Sequence, residues 1–176
     1  MMFPSHDRFW LQQQIQENDY RKGVELGVLK GPTFKHLIKE CPNLELTGVD
    51  VFFPDKDWKS QNIKTNEDLL KTEPLFWYNE LVEFCQPYGS RAKILRSFTN
   101  QAAEKFEDNS LDFVFIDAGH SFDSVSEDIK LWEPKVKKGC LVSGHDIDML
   151  EVRMAVSQFN MDYEVDPDNT WYWIKK

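Results

Sequence analysis

Two short runs hold the residues best suited to chemistry. Asp117-Ala118-Gly119-His120 and Gly144-His145-Asp146 each set a carboxylate near an imidazole. Asp117 and Asp146 are 29 residues apart, the span of one strand–helix–strand repeat. If the strands before them are neighbours, they lie ~4.8 Å apart and their end carboxylates face each other. Two bare anions ~4 Å apart repel by about 4 kcal/mol at an effective dielectric of ~20. A shared proton or a shared cation removes that repulsion, and Mg²⁺ is the natural oxygen-seeking ion. The bland alternative makes Asp117 a helix cap and Asp146 a turn residue. A neutral imidazole can take a proton at neutral pH. His120, on the loop past Asp117, is the candidate base. His145 is a second ligand, a substrate contact or an orienting group.

A second constellation lies earlier. Gly23-Val24-Glu25-Leu26-Gly27 runs into Val28-Leu29-Lys30-Gly31, with two glycines that permit a tight turn and close backbone approach. Taken alone this is also an ordinary strand–helix turn. Asp50 follows 23 residues after Gly27, at the end of the next strand pattern. An acid there can accept hydrogen bonds from ribose hydroxyls, so the pair points to a nucleoside.

The elements that must position these groups alternate along the chain. Helical spacing marks residues 5–18 (Ser5 as cap, Leu11 and Ile15 on one face), Phe34-Leu37-Ile38, Tyr78-Leu81-Val82-Cys85, Ala102-Ala103-Phe106, Val125-Ile129-Trp132 and Val152-Val156-Phe159. Strand patterns lie at 23–27, 44–51, 93–96, 111–117, 140–143, 163–165 and 171–174. Lys137-Lys138-Gly139 reads as a turn, and residues 52–73 as a long polar loop. Strands alternating with helices predict a mainly parallel sheet covered on both faces. Ligands bind such sheets at the carboxyl ends of the strands.

At 176 residues the chain is expected to be one domain, with an N-terminal helix over 1–20 and an insertion over 52–90 between strands two and three. Thirteen Phe, six Trp and five Tyr argue against disorder. A formal charge of −9 argues against non-specific nucleic-acid binding, which needs a basic surface. Cys41, Cys85 and Cys140 form no CxxC pair, so neither a disulfide scaffold nor a zinc ribbon is indicated. No segment approaches the ~20 apolar residues of a membrane span, and no signal peptide is visible. A cytoplasmic protein with no membrane or nucleic-acid partner, and a possible homo-oligomer, is the resulting expectation.

Val24-Glu25-Leu26-Gly27-Val28-Leu29-Lys30-Gly31 and Thr47-Gly48-Val49-Asp50 resemble the first two motifs of class I S-adenosylmethionine-dependent methyltransferases. The run from Leu111 to Phe122, and that from Asp128 through Gly139 to Asp146, resemble a subgroup akin to metal-dependent sugar O-methyltransferases. The resemblance covers roughly residues 20–176. It implies a three-layer α/β sandwich with a Rossmann-like seven-stranded sheet in order 3-2-1-4-5-7-6, one strand antiparallel. It implies that Gly27, Val28 and Gly31 line the methionine and ribose portion of the cofactor, with Glu25 near the methionine amino group. Asp50, beside Val51, would hold the ribose hydroxyls, Ser97 and Phe98 would lie near the adenine, and Asp117 would border the cofactor. Asp117 and Asp146 would bind Mg²⁺ or a similar ion, with His120 as base.

The chain departs from the pattern in places. Leu29 stands where the middle glycine of GxGxG is usual, and Ile147 follows Asp146 where catechol-type relatives have Asn. Asp55 and Asp57 are the candidates for a third metal carboxylate. The implied reaction is methylation of a hydroxyl on a sugar or small metabolite. Phe52, Phe53, Trp58, Phe76 and Trp77 are candidates for an aromatic acceptor wall, although Phe76 and Trp77 also suit simple helix packing, and Trp132 reads as core. Two rivals remain at this level. One is an oxidoreductase binding NAD or a nucleotide sugar; the other is a non-catalytic binding module on the same fold.

Overall fold

The computed structural model describes residues 9–53, 64–72 and 76–176. The expected Ser5 cap, together with Asp55, Asp57 and Trp58, lies outside the described residues. The chain opens with α1 (Phe9–Glu17), which buries Leu11 and Ile15 four residues apart. Strand β1 (Lys22–Leu26) leads into α2 (Pro32–Glu40), where Pro32 sits in the first turn. Proline fits there because its missing N–H would have no helical partner. The helix ends just before Cys41-Pro42, since a residue preceding proline is pushed out of helical geometry.

Strand β2 (Glu45–Asp50) is followed by α3 (Asn66–Leu70), α4 (Phe76–Cys85), a 3-10 segment (Gln86–Arg91) and β3 (Ala92–Arg96). Then come α5 (Thr99–Ala103), β4 (Leu111–Ile116), α6 (Phe122–Trp132), β5 (Val136–Gly144), α7 (Leu150–Phe159), β6 (Glu164–Val165) and β7 (Trp171–Ile174). The seven strands form one sheet in the order β3-β2-β1-β4-β5-β7-β6. β1 to β5 pair in parallel, whereas β7 runs antiparallel to both β5 and β6. This is the order that the resemblance implies.

The centre of the sheet explains the apolar run at 111–116. All six residues of β4 are buried, because helices cover both faces. Val114 and Ile116 join Trp132, Val156 and Trp171 on one face. Phe113 and Phe115 join Leu11, Phe34 and Leu81 on the other. The side-chain period of two in a strand divides the residues this way. Asp112 is the polar exception. One of its oxygens accepts from the Arg21 and Lys22 backbone N–H groups at 2.7 and 2.9 Å, and the other from Lys137 Nζ at 2.7 Å. Burial pushes its carboxyl up, but Lys137 and the two amides outweigh burial and hold it below the ordinary value.

Three local expectations change. Lys137-Lys138-Gly139 is not a turn but the first half of β5. Pairing with β4 slips between Leu111 and Phe113, and Gly139 takes φ 77°, a conformation that suits a glycine bulge. The polar stretch read as loop contains α3, capped by Thr65, whose hydroxyl accepts from the Asp68 N–H. Val82 faces solvent, and α4 buries Leu81 and Cys85 instead. Cys41, Cys85 and Cys140 are free thiols.

Candidate active site

The carboxyl ends of β1, β2, β3 and β4 surround a cavity of ≈ 780 Å³. That lies within the ~300–1,000 Å³ usual for small-molecule sites. Of the residues singled out from the sequence, Glu25, Gly27, Val28, Asp50, Val51, Ser97, Phe98, Asp117, His120 and His145 line it. Gly31 does not; it precedes α2 and packs against the Leu81 side chain. Asp146 is not on the cavity wall, but its carboxylate contacts His120, which is. A second cavity of ≈ 680 Å³ opens beside Lys22 and Glu45, at the start of β1 and β2, and holds none of these residues.

The bend after β1 is built by close approach. The Gly27 N–H donates to the Val49 carbonyl at 2.9 Å, and the Asp117 N–H to the Leu26 carbonyl at 2.8 Å. A side chain on Gly27 would strike the Asp117 carbonyl, and φ is 83°, so only glycine serves. Leu29 is the surprise. It takes φ 50°, the left-handed form that the usual glycine adopts freely, while its side chain stays exposed. Leu29 thus holds the left-handed form without a glycine's freedom, at a cost of roughly 1–2 kcal/mol.

Asp50 offsets that strain. Its Oδ2 accepts from the Val28 and Leu29 N–H groups, both at 2.8 Å, and its Oδ1 from the Phe52 N–H at 2.6 Å. A carboxylate offers about four lone-pair directions. Three are thus committed to holding the bend and the start of the next loop. This bracing was not legible in the sequence, where Asp50 suggested only a ribose contact.

The other side of the site is the β4–β5 pair. Ile116 pairs with Gly144, so the residues just beyond them leave the sheet together. His120 Nε2 lies 2.7 Å from Asp146 Oδ2, and His145 Nδ1 lies 3.0 Å from Asp146 Oδ1. Asp146 therefore lies between two imidazoles. It takes φ 61°, a strained form that aspartate tolerates better than most residues. His145 Nε2 sits 2.7 Å from the Asp168 carbonyl, which can only accept, so that nitrogen carries the hydrogen. Trp171 Nε1 donates to the His145 carbonyl at 3.0 Å. His145 thus touches Asp146 on one side and the Asp168 carbonyl on the other.

Asp117, His120 and Asp146 each offer one ligand atom, all within 4.8 Å of one another. Two carboxylates and one imidazole are a donor set that a divalent ion accepts. The aromatic wall is thinner than expected. Phe53 lines the cavity, while Phe52 is buried against Tyr78 and Phe76 packs on Trp77.

Asp128 is a cavity residue that the sequence reading passed over. It is 2% exposed. Burial pushes its carboxyl up to about 7, against a hydrogen bond from Thr99 and with a further push from Glu127. Its signal was a carboxylate on the apolar stripe of Val125, Ile129 and Trp132.

The family described as "Methyltransferase domain" matches residues 24–147. The chain belongs to that family. The uncharacterized protein y4gI of Sinorhizobium fredii is 28% identical over 82 residues, covering 47% of this chain and 9% of y4gI. The chain thus spans about a tenth of that relative's length. Among solved structures, one assigned as a caffeoyl-CoA O-methyltransferase from Staphylococcus aureus superposes with a TM-score of 0.67 at 14% identity, covering 100% of this chain and 86% of that one. The O-methyltransferase NovP gives 0.65 at 15%, covering 94% and 76%. CalS11, a TDP-rhamnose 3'-O-methyltransferase of calicheamicin biosynthesis, gives 0.60 at 16%, covering 94% and 75%. At these identities the likeness shows the shared fold. Among the described residues no helix is long and apolar enough to cross a membrane.

Proposed function

We propose that this methyltransferase uses S-adenosylmethionine to methylate a hydroxyl oxygen on a sugar or another small metabolite. The observation that carries the reading is that the Gly27–Asp50 bend and the His120–Asp146 pair meet at one cavity. The bend supplies a backbone surface that a nucleoside can approach closely. Glu25, 2% exposed at the cavity wall, offers a carboxylate for the methionine ammonium. Asp50 has one lone-pair direction left for a ribose hydroxyl. Phe53 and Phe98, with ring centroids 6.4 Å apart, give the adenine an aromatic edge.

At the reacting end, the Asp146 carboxylate lies 2.7 Å from His120 Nε2, close enough to orient the ring and to balance the charge it gains with a proton. His120 then takes the hydroxyl proton while the acceptor oxygen bonds to the methyl carbon. The sulfur–carbon bond breaks and its electron pair stays on sulfur, leaving S-adenosylhomocysteine. His145, anchored on the Asp168 carbonyl, stands 3.0 Å from Asp146 Oδ1 and limits how far that carboxylate can turn. Asp117 and Asp146 are the carboxylates that would hold a divalent ion, beside the His120 ring. Such an ion lowers the pKa of an oxygen bound to it and orients that oxygen.

The structural relatives that act on a sugar or are named O-methyltransferases support the oxygen acceptor, as does a base held by a carboxylate. Calorimetry with S-adenosylmethionine and with NAD tests the cofactor, followed by product assays across hydroxyl acceptors. Binding of the sulfonium compound and methylation of a hydroxyl are expected. Binding with no product from any hydroxyl acceptor would instead favour a binding module.

A further inference from the structure

We infer that Asn66, on α3, is a positioning residue for the nucleoside half of the site, acting through Ser97 and Phe98; the inference rests on the reading of that cavity as a S-adenosylmethionine site. α3 belongs to the long segment between β2 and β3, which by sequence looked suited to the acceptor side. The hydrogen bonds place its described part on the opposite side. Asn66 Nδ2 donates to Ser97 Oγ at 2.9 Å, and Asn66 Oδ1 accepts from the Phe98 N–H at 3.3 Å. The Asn66 backbone N–H donates to Gln101 Oε1 at 2.9 Å. One side chain thus holds both residues that follow β3, and its backbone ties to α5.

The rest of α3 keeps that side chain in place. Leu69 is fully buried. Beyond the helix, Arg96 Nη1 donates to the Thr72 carbonyl at 3.2 Å, so the strap is tied to the last residue of β3 as well. Ser97 Oγ in turn donates to the Phe98 carbonyl at 2.9 Å. The Ser97 hydroxyl has spent its one hydrogen on protein and accepts the Asn66 amide. It is therefore a structural link rather than a reader of the adenine. What the link sets is the backbone carrying the Phe98 ring, which faces Phe53 at the cavity. An asparagine suits the task because its amide both donates and accepts, matching a hydroxyl oxygen on one residue and an N–H on the next.

The test uses the full chain, with S-adenosylhomocysteine and 5′-methylthioadenosine as probes in calorimetry and amide hydrogen exchange as a second readout. Asn66→Ala is expected to weaken both probes by the same factor, roughly ten-fold for two lost hydrogen bonds. Exchange should quicken at residues 97–101 and stay unchanged at 26–29 and 117–120. Asn66→Asp, which keeps the bond from the Phe98 N–H and loses the one to Ser97 Oγ, should recover part of the affinity. Asn66→Ser asks the same question if the alanine variant does not fold. Wild-type affinity in Asn66→Ala, or equal losses in the alanine and aspartate variants, would overturn the inference. If the wild-type chain binds neither probe, the cofactor reading fails instead, and quickened exchange at 97–101 still reports whether Asn66 holds that segment.

Discussion

His120 Nε2 lies 2.7 Å from Asp146 Oδ2, joining an imidazole beyond β4 to a carboxylate beyond β5. The contact depends on β4 and β5 being parallel neighbours, with Ile116 opposite Gly144. Each strand delivers one partner, so neither run of sequence contains the pair. A carboxylate beside an imidazole steadies the positive charge the ring takes on with a proton, which favours its use as a base.

His120→Ala should lower turnover by roughly 10²–10⁴-fold, the usual worth of a general base. Asp146→Asn should also lower it, because an amide can present its NH₂ to the ring and permit the wrong tautomer. In both variants the affinity for S-adenosylhomocysteine should stay within a few-fold of wild type. Parallel turnover and calorimetric measurements check this. Full turnover in both variants would remove the base from the scheme.

Asp50→Ala should weaken cofactor binding and destabilise the fold together. It frees three backbone N–H groups, at Val28, Leu29 and Phe52. Leaving such donors unmade costs about 1–3 kcal/mol each where water cannot replace the partner. Thermal unfolding with and without ligand separates the two effects. A purely ribose-binding Asp50 would leave the unliganded melting temperature unchanged.

The pH dependence of stability should carry opposite signatures from two buried aspartates. Asp128 has a folded value raised to about 7 by burial, against an unfolded value of ~3.9. The folded state then holds the extra proton, so this group costs stability as pH rises from about 4 to about 7, and the cost levels off above that. Asp128→Asn should abolish this slope and melt higher than wild type at pH 8. Asp112 is the reverse case. Its folded value is lowered on balance, so its contribution is present above the unfolded value and lost as pH falls through the folded one. Asp112→Asn should therefore flatten the acid limb of the stability curve. Melting temperatures from pH 3 to pH 9 for the three proteins check both signs.

A divalent ion, if the cluster holds one, should raise the melting temperature of the wild-type chain by mass action. Mn²⁺ or Mg²⁺ titrated into the wild type and into Asp117→Asn should shift only the first. Equal shifts would place the ion elsewhere.

Much of this was legible in the sequence because burial writes strong patterns. The run from Leu111 to Ile116 must be a central strand, and a carboxylate with a histidine three residues on must then stand at its end. Other features had no local signal. Lys137-Lys138-Gly139 looks like a turn until Lys137 is seen paired across the sheet with Asp112. The stretch 64–72 is polar apart from Leu69 and Leu70, so nothing marked Asn66 before β3 was placed beside it. Asp50 was found, but its three amide partners were not, since they follow from the path of the Gly27 bend. Gly31 fell in the motif by spacing, yet in space it turns toward Leu81.

The most direct test of the account is a crystal structure of the chain grown with S-adenosylhomocysteine. It predicts the adenosine between the Gly27 bend and Phe98, the sulfur directed toward His120 and Asp117, and the amino group near Glu25. Density for the ligand in the cavity beside Lys22 and Glu45, or none at any concentration that supports turnover, would contradict it.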